Sequence, residues 1–165
     1  MIAYCQNCGT RVETRIIDGR ERAVCPDCGT IYYQQWKVSA GVRVVKDGKL
    51  LLVQRGIDPW RGKWHMPAGY VEVDEEPSLA AEREAREETG LIVRAGNLVD
   101  CYLDTQDPRG NVIFLLYEAA IIDGSLTLSK ETQSVKFFSP HEIQSLPLAG
   151  MSSEKEIVDW LKTVL

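Results

Sequence analysis

The sequence predicts an α/β (α+β) domain built on a mixed sheet, preceded by a small unit too poor in apolar residues to fold by burial alone. Three observations predict it. From about Lys37 onward, strand-like apolar runs are interspersed with two helix-like segments, the pattern of strands and helices packed in layers. Four of the 5 cysteines crowd into the first 28 residues, where large apolar side chains are few. The 165-residue chain is 44% hydrophobic and 26% charged, a composition that can bury a core and does not require disorder.

Residues 1–34 read as one unit and residues 38–165 as a second. In the first, Cys5-Gln6-Asn7-Cys8-Gly9-Thr10 and Cys25-Pro26-Asp27-Cys28-Gly29-Thr30 are near-copies, separated by a hairpin whose turn is Asp18-Gly19. In the second, Val38 to Val45, Leu50 to Gln54, Val112 to Ile122 and Val135 to Phe138 predict strands. Lys46-Asp47-Gly48 joins the first two, and Asp107-Pro108-Arg109-Gly110 marks another turn. One helix is predicted from about Ser78 to Thr89, stopping at Gly90, a residue suited to the left-handed position after a helix. A second is predicted to start near Ser153, where Ser153 and Glu156 have capping-box spacing. It presents Ile157, Trp160, Leu161 and Val164 on one face. Cys101, standing alone, is expected to be a buried small hydrophobe.

Charge and topology signals narrow the class. The formal net charge of -5 argues against a protein that coats nucleic acid, although a local basic patch stays open. Met1-Ile2-Ala3-Tyr4 lacks a basic and then apolar leader, and the longest apolar run, Val112 to Tyr117, is too short to span a bilayer. A cytoplasmic protein without membrane contact is expected.

The cysteines follow the spacing C-x2-C, sixteen residues, C-x2-C. Four thiolates so spaced close a tetrahedron around Zn²⁺, each C-x2-C supplying two ligands from one tight turn, so Cys5, Cys8, Cys25 and Cys28 are the expected ligands. Gly9 and Gly29 follow the second cysteine of each pair and let the backbone turn there. Two disulfides or a redox C-x2-C are the competing readings, and the duplication with a reducing compartment favours metal. With all four positions filled by protein, the zinc is structural. Arg11, Arg15, Arg20 and Arg22 are balanced by Glu13, Asp18, Glu21 and Asp27, a tally that does not build a nucleic-acid grip.

The stretch Gly69 to Leu91 is the most informative. Glu84, Glu87 and Glu88 are spaced i, i+3 and i+4, so a helix brings their carboxylates together. At roughly 5–6 Å each pair repels by about 3 kcal/mol at an effective dielectric of 20. Glu87 and Glu88 also occupy the last turn, where the helix dipole disfavours anions. A solvated acidic face explains neither feature, whereas divalent cations with a preference for oxygen explain both.

Gly69, five residues, Glu75, seven residues, then Arg83-Glu84-Ala85-Arg86-Glu87-Glu88-Thr89-Gly90-Leu91 matches the Nudix box at every fixed position. Gly62-Lys63-Trp64 and Pro67-Ala68-Gly69 also look like the approach to that box, so residues 38–165 resemble a Nudix domain and residues 1–34 a zinc ribbon. The resemblance implies a Nudix-type α/β/α sandwich. It also implies hydrolysis of a nucleoside diphosphate linked to another moiety. Glu84, Glu87, Glu88 and the Ala68 carbonyl would bind Mg²⁺ or Mn²⁺, and Arg83 would orient a glutamate. Glu75 would brace the loop, with Gly69 and Gly90 as supporting positions of the box. The general base would be Glu88 or Glu131, the latter in a segment similar to the family's acidic loop, where Gln133 replaces a frequent second acid. Asp74 stands in place of a usual Gly and is expected to tolerate a left-handed turn; Glu76 replaces a common Ser or Thr cap, with Pro77 fitting the helix start.

A zinc ribbon before a Nudix domain is similar to the NADH, ADP-ribose and FAD pyrophosphatase group. The proline-rich stretch that NADH pyrophosphatases carry after the box is missing from Val93 to Cys101, and Pro108 lies near a proline of ADP-ribose hydrolases. ADP-ribose or a related ADP-linked compound (NADH, FAD), cleaved to release AMP, is therefore the expected substrate. Arg55 is a candidate for phosphate, and Trp60, Trp64 and Tyr70 for stacking on a base, with packing as the competing role of each aromatic. A hydrolase of capped RNA ends that holds RNA through the ribbon, and a non-catalytic ADP-ribose-sensing regulator, are the alternatives. The resemblance also implies a homodimer.

Overall fold

The chain divides into two compact units, Met1–Gln35 and Trp36–Leu165; the structure, a computed structural model, describes residues 2–165. In the first unit, β1 (Glu13–Ile17), β2 (Arg20–Val24) and β3 (Ile31–Tyr32) form an antiparallel sheet in that order. Asp18 and Gly19 both have positive φ, 51° and 73°, the type I′ geometry whose twist suits a two-residue hairpin. Each cysteine turn closes the same way: the Gly9 and Gly29 amides donate to the Cys5 and Cys25 carbonyls at 2.9 and 3.0 Å.

The second unit runs β4 (Lys37–Lys46), β5 (Lys49–Arg55), β6 (Trp64–His65), β7 (Ala68–Tyr70), α1 (Pro77–Thr89), β8 (Leu91–Asp104), β9 (Val112–Gly124), β10 (Thr132–Phe138), α2 (Pro140–Ile143) and α3 (Gly150–Val164). The sheet order is β10-β5-β4-β9-β8, with β6 on β5 and β7 on β4. It is mixed, because β4 and β9 run parallel and the other pairs antiparallel. Leu50 to Val53 in β5 are fully buried, and they alternate: Leu50 and Leu52 join Trp64, Ile157 and Trp160, while Leu51 and Val53 join Ala80, Ala81 and Ala85 of α1. A strand buried on both faces reads as a continuous apolar run, and helices cover both faces, giving an α/β/α sandwich.

A fork in this sheet prepares the site. β4 and β5 pair only at their hairpin end, Val45 with Leu50 and Lys46 with Lys49. Beyond it they part, β4 taking β7 through Ser39 to Gly41 and β5 taking β6 through Val53 and Gln54. Asp47 and Gly48 at the hairpin repeat the two positive φ values, 51° and 71°.

Several sequence expectations are corrected. The long strand β8 has no alternating pattern in the sequence because register shifts at Ile92/Val93, Ala95/Leu98 and Leu98/Asp100 break its alternation. Cys101 is exposed, not buried, because the pleat of β8 turns Tyr102 and Asp104 inward and Cys101 and Leu103 outward. α3 begins at Gly150, so Ser153 and Glu156 lie inside it and form no capping box. Its first turn is capped from a distance, the Ser152 amide donating to Asp104 Oδ2 at 3.2 Å. A capping box does form at Ser139 and Glu142, before α2. Val164 is exposed because it lies beyond Trp160 and Leu161, the last α3 residues packed on the core. Asp74 is not among the residues with positive φ, so no left-handed turn needs tolerating there. α1 does start at Pro77 after a Glu76 whose side chain caps nothing, and ends at left-handed Gly90.

Gly41 in mid-β4 has no room for a Cβ, which would stand 2.6 Å from Ala68 Cβ, 2.7 Å from the Pro67 carbonyl and 2.8 Å from Phe114. Gly41→Ala is expected to cost about 2 kcal/mol by overpacking and to lower Tm by about 4–8 °C in a thermal melt.

Candidate active site

α1 holds the acidic residues against a loop, and Arg83 makes the connection. Its Nε and Nη2 donate to the two Glu75 oxygens at 2.9 Å each, and Nη2 also donates to the Tyr70 carbonyl at 3.0 Å. Nη1 donates to Glu84 at 2.6 Å and to Glu87 at 3.4 Å. The guanidinium is thereby held above its ordinary pKa, first by Glu75 and then by Glu84. Gly69 lets the loop approach α1, because a Cβ there would collide with the Glu84 carboxylate.

Glu84 and Glu88 face a cavity of about 250 Å³ that opens across the fork between β4 and β5, whereas Glu87 is more than half exposed and lies outside its lining. The Ala68 amide donates to Glu88 Oε2 at 3.0 Å. Burial pushes the Glu88 carboxyl up to about 8, and Glu84 and Glu131 push the same way against Ala68 and Arg55. Glu84 is raised as well, chiefly by burial. Glu131 reaches the same cavity because Gly56 lies directly against its backbone, the Gly56 amide donating to the Glu131 carbonyl at 2.7 Å. Gln133 is exposed and falls at the bulge of β10, between Thr132 and Ser134, outside the cavity lining.

Cations and rings stand beside these acids. Arg55, at the end of β5, donates from Nε to the Pro59 carbonyl at 2.8 Å and borders the cavity. The Asp107 turn supplies a second cation: Arg109 donates to Asp107 at 3.0 and 2.7 Å and lies over the Trp60 ring at 5.6 Å and the Tyr70 ring at 5.4 Å. In the sequence this segment reads as a turn only. Pro108 is exposed within it and does not line the cavity. Trp60 and Tyr70 do line it, but Trp64 belongs to the core, edge-on to Phe138 at 4.7 Å.

Further around the cavity are His65, Asp104, Phe114 and Ser152, which the sequence does not single out as site residues, and Ser153 and Glu156, which it reads only as a capping pair. His65 is buried and held neutral, its pKa pushed down to about 3 by burial and Arg55. A usable signal existed for one of them. Ser153, Glu156, Ile157 and Trp160 share the buried stripe of α3, and an acid in an apolar stripe marks an unusual position.

In the ribbon the Sγ atoms of Cys5, Cys8, Cys25 and Cys28 lie within 4.8 Å of one another, with separations of 3.4 to 3.7 Å for three pairs. Zinc–sulfur bonds of about 2.3 Å give a tetrahedron with edges of about 3.8 Å, so this donor set fits zinc. None of the four is in a disulfide. The Tyr32 hydroxyl donates to Cys5 Sγ at 3.1 Å and draws that thiol down to about 6, while Thr30 lowers Cys28.

The family described as "NUDIX domain" matches residues 35–161, and "Nudix N-terminal" matches residues 3–34. The chain belongs to the Nudix family. A Nudix hydrolase crystal structure from Nitrosomonas europaea superposes with TM-score 0.84 and 31% identity, over 98% of this chain and 91% of that one. An ADP-ribose pyrophosphatase of Methanocaldococcus jannaschii is 34% identical over 120 residues, 72% of this chain and 69% of that protein. The NAD-capped RNA hydrolase NudC of Pseudomonas aeruginosa is 30% identical over 158 residues, 94% of this chain but 54% of that protein. This Nudix chain therefore spans about half the length of that relative. By family it is a Nudix pyrophosphohydrolase, and among its described residues no helix is long and apolar enough to cross a membrane.

Two outcomes follow from the geometry. Arg83→Lys keeps a charge but loses the fork on Glu75, and is expected to cost about 2 kcal/mol, read as a Tm about 4–8 °C lower. Metal analysis is expected to find about one zinc per chain; Cys28→Ser should lose it and raise amide exchange in residues 1–35 while leaving Trp36 onward protected.

Proposed function

We propose that this Nudix protein hydrolyses the diphosphate of an ADP-linked compound, ADP-ribose foremost and NADH or FAD as related substrates, releasing AMP. The observation that carries the reading is one cavity with Glu84, Glu88 and Glu131 together, Arg55 and Arg109 beside them, and Trp60 and Tyr70 in its wall. The similarity to an ADP-ribose pyrophosphatase supports the choice of substrate.

Crowded carboxylates, one pushed up to about 8 by burial, suit hard divalent cations such as Mg²⁺ or Mn²⁺. Glu84, Glu87, Glu88 and the Ala68 carbonyl would hold them. When bound, such ions neutralise the diphosphate and acidify a water. The chain's own groups do the rest. Arg83 keeps Glu84 aimed through its hydrogen bond and keeps the loop in place through Glu75. Arg55 offers a guanidinium to a phosphate oxygen. Trp60 and Tyr70 present flat faces to a base or ribose, with Arg109 stacked on both. Glu88 or Glu131 takes the proton from the attacking water.

A second reading, hydrolysis at an RNA end, is favoured by one observation: the similarity to NudC runs through the ribbon as well as the Nudix domain. A substrate panel with Mg²⁺ separates the readings. AMP release from ADP-ribose with higher kcat/KM than cleavage of NAD-capped RNA supports the first, the reverse order supports the second, and tight ADP-ribose binding without turnover would make this a sensor.

Glu88→Gln is expected to lower kcat by about 10²–10⁴ with Tm little changed, and wild-type turnover would remove Glu88 as base and as essential ligand. Glu131→Gln in the same assay assigns the base to whichever variant loses more.

A further inference from the structure

The cavity has a second acidic wall with no part in the chemistry described above. Glu156 is only 2% exposed, borders the cavity, and its Oε2 has no hydrogen-bond partner. A buried polar atom left unpaired is costly and calls for a partner the protein does not itself provide. Burial raises the pKa of this carboxyl, with Ser153 alone acting against it. The acids of α1, by contrast, feel one another, Glu131, Arg83 and Arg55.

The surroundings describe what this wall accepts. Asp104 beside it is committed to backbone, accepting from the Gln106 and Ser152 amides at 2.9 and 3.2 Å. With Asp104 taken by backbone amides, the unpaired Glu156 oxygen is the hydrogen-bonding group this wall has to offer. Phe114 and Met66 add apolar surface, and the Trp60 ring lies so close to Gly150 that a Cβ there would stand 3.0 Å from it. A flat, uncharged ring with hydrogen-bonding edges fits between such walls.

We propose that Glu156 is a specificity-determining residue that reads adenine: its neutral carboxyl donates O–H to a ring nitrogen and accepts from the exocyclic amine. A protonated carboxyl offers one donor and one acceptor, as adenine's edge requires, whereas an ionised one only accepts and matches the paired donors of guanine. Burial pushes Glu156 up to about 8, so the neutral form dominates at neutral pH. Of the other titratable groups around the cavity and beside Glu156, His65 of β6 is neutral with its pKa near 3, Tyr102 of β8 is pushed up to about 12, and Arg55 and Arg109 stay charged, while Glu88 of α1 is pushed up to about 8 like Glu156.

This inference rests on the proposed ADP-linked substrate, and the test separates the two. The full chain with Mg²⁺ is assayed on ADP-ribose and GDP-mannose, with AMP and GMP binding measured by calorimetry alongside. Wild type is expected to favour ADP-ribose about ten- to hundredfold in kcat/KM. Glu156→Ala should raise KM for ADP-ribose about tenfold with kcat kept, and bring the preference near one. Glu156→Gln carries the same donor and acceptor and should keep the preference. In wild type, the preference for ADP-ribose over GDP-mannose should fall as pH passes about 8 and Glu156 ionises, whereas in Glu156→Gln it should stay level; Glu88, pushed up to about 8 in the same cavity, acts on both substrates alike and cancels in this ratio. An unchanged preference in Glu156→Ala, or its loss in a Glu156→Gln that melts like wild type, overturns the inference. If wild type splits neither compound, the substrate reading fails by itself. AMP binding over GMP that vanishes in Glu156→Ala then still supports base reading, and equal binding overturns it.

Discussion

Arg83 ties the site together. One planar guanidinium grips both Glu75 oxygens, the Tyr70 carbonyl, Glu84 and Glu87, so the loop after β7 and the exposed edge of α1 share one set of hydrogen bonds. That clamp has to oppose real repulsion. Glu84, Glu88 and Glu131 face one another across a small cavity, and burial shifts Glu84 and Glu88 away from the charged form. A counter-ion, as in the proposed divalent cations, would relieve this arrangement, provided the backbone cannot relax. Arg83 from one side and the buried Ala80, Ala81 and Ala85 from the other keep α1 from moving away.

The sheet makes the space that α1 guards. Because β4 and β5 part after their hairpin, β6 and β7 fill the gap incompletely, and residues from β4 to β9 and from α3 border one hollow. Its walls differ in chemistry. Glu84, Glu88 and Glu131 come with Arg55 and Arg109, whereas Glu156 is desolvated with Phe114 and Met66 in the same lining. The proposed ADP-linked substrate would use both kinds of surface.

Much of this was legible locally. The cysteine knuckles, the two Asp-Gly turns, the Pro77 start and Gly90 stop of α1, and the spacing of Glu84, Glu87 and Glu88 depend on neighbours a few residues away. Where the structure departs, a distant contact decided the outcome. Ser153 and Glu156 have capping-box spacing, yet Asp104, 48 residues before Ser152, caps α3 and leaves them inside the helix. Cys101 looked like a core residue until the pleat of an irregular strand turned it outward. Of the three box glutamates on one helix, Glu87 stays largely in solvent while the other two enter the cavity.

The sequence by itself determined the composition of the two units, the metal-ready cysteines and the acidic helix, because turn chemistry and helical periodicity act over a few residues. Only the tertiary structure decided which acids share a cavity, that Arg109 stacks on Trp60 and Tyr70, and that Glu156 lies buried without a partner. Those relations join residues far apart in the chain, and desolvation acts on a side chain through everything that surrounds it, which no local pattern records.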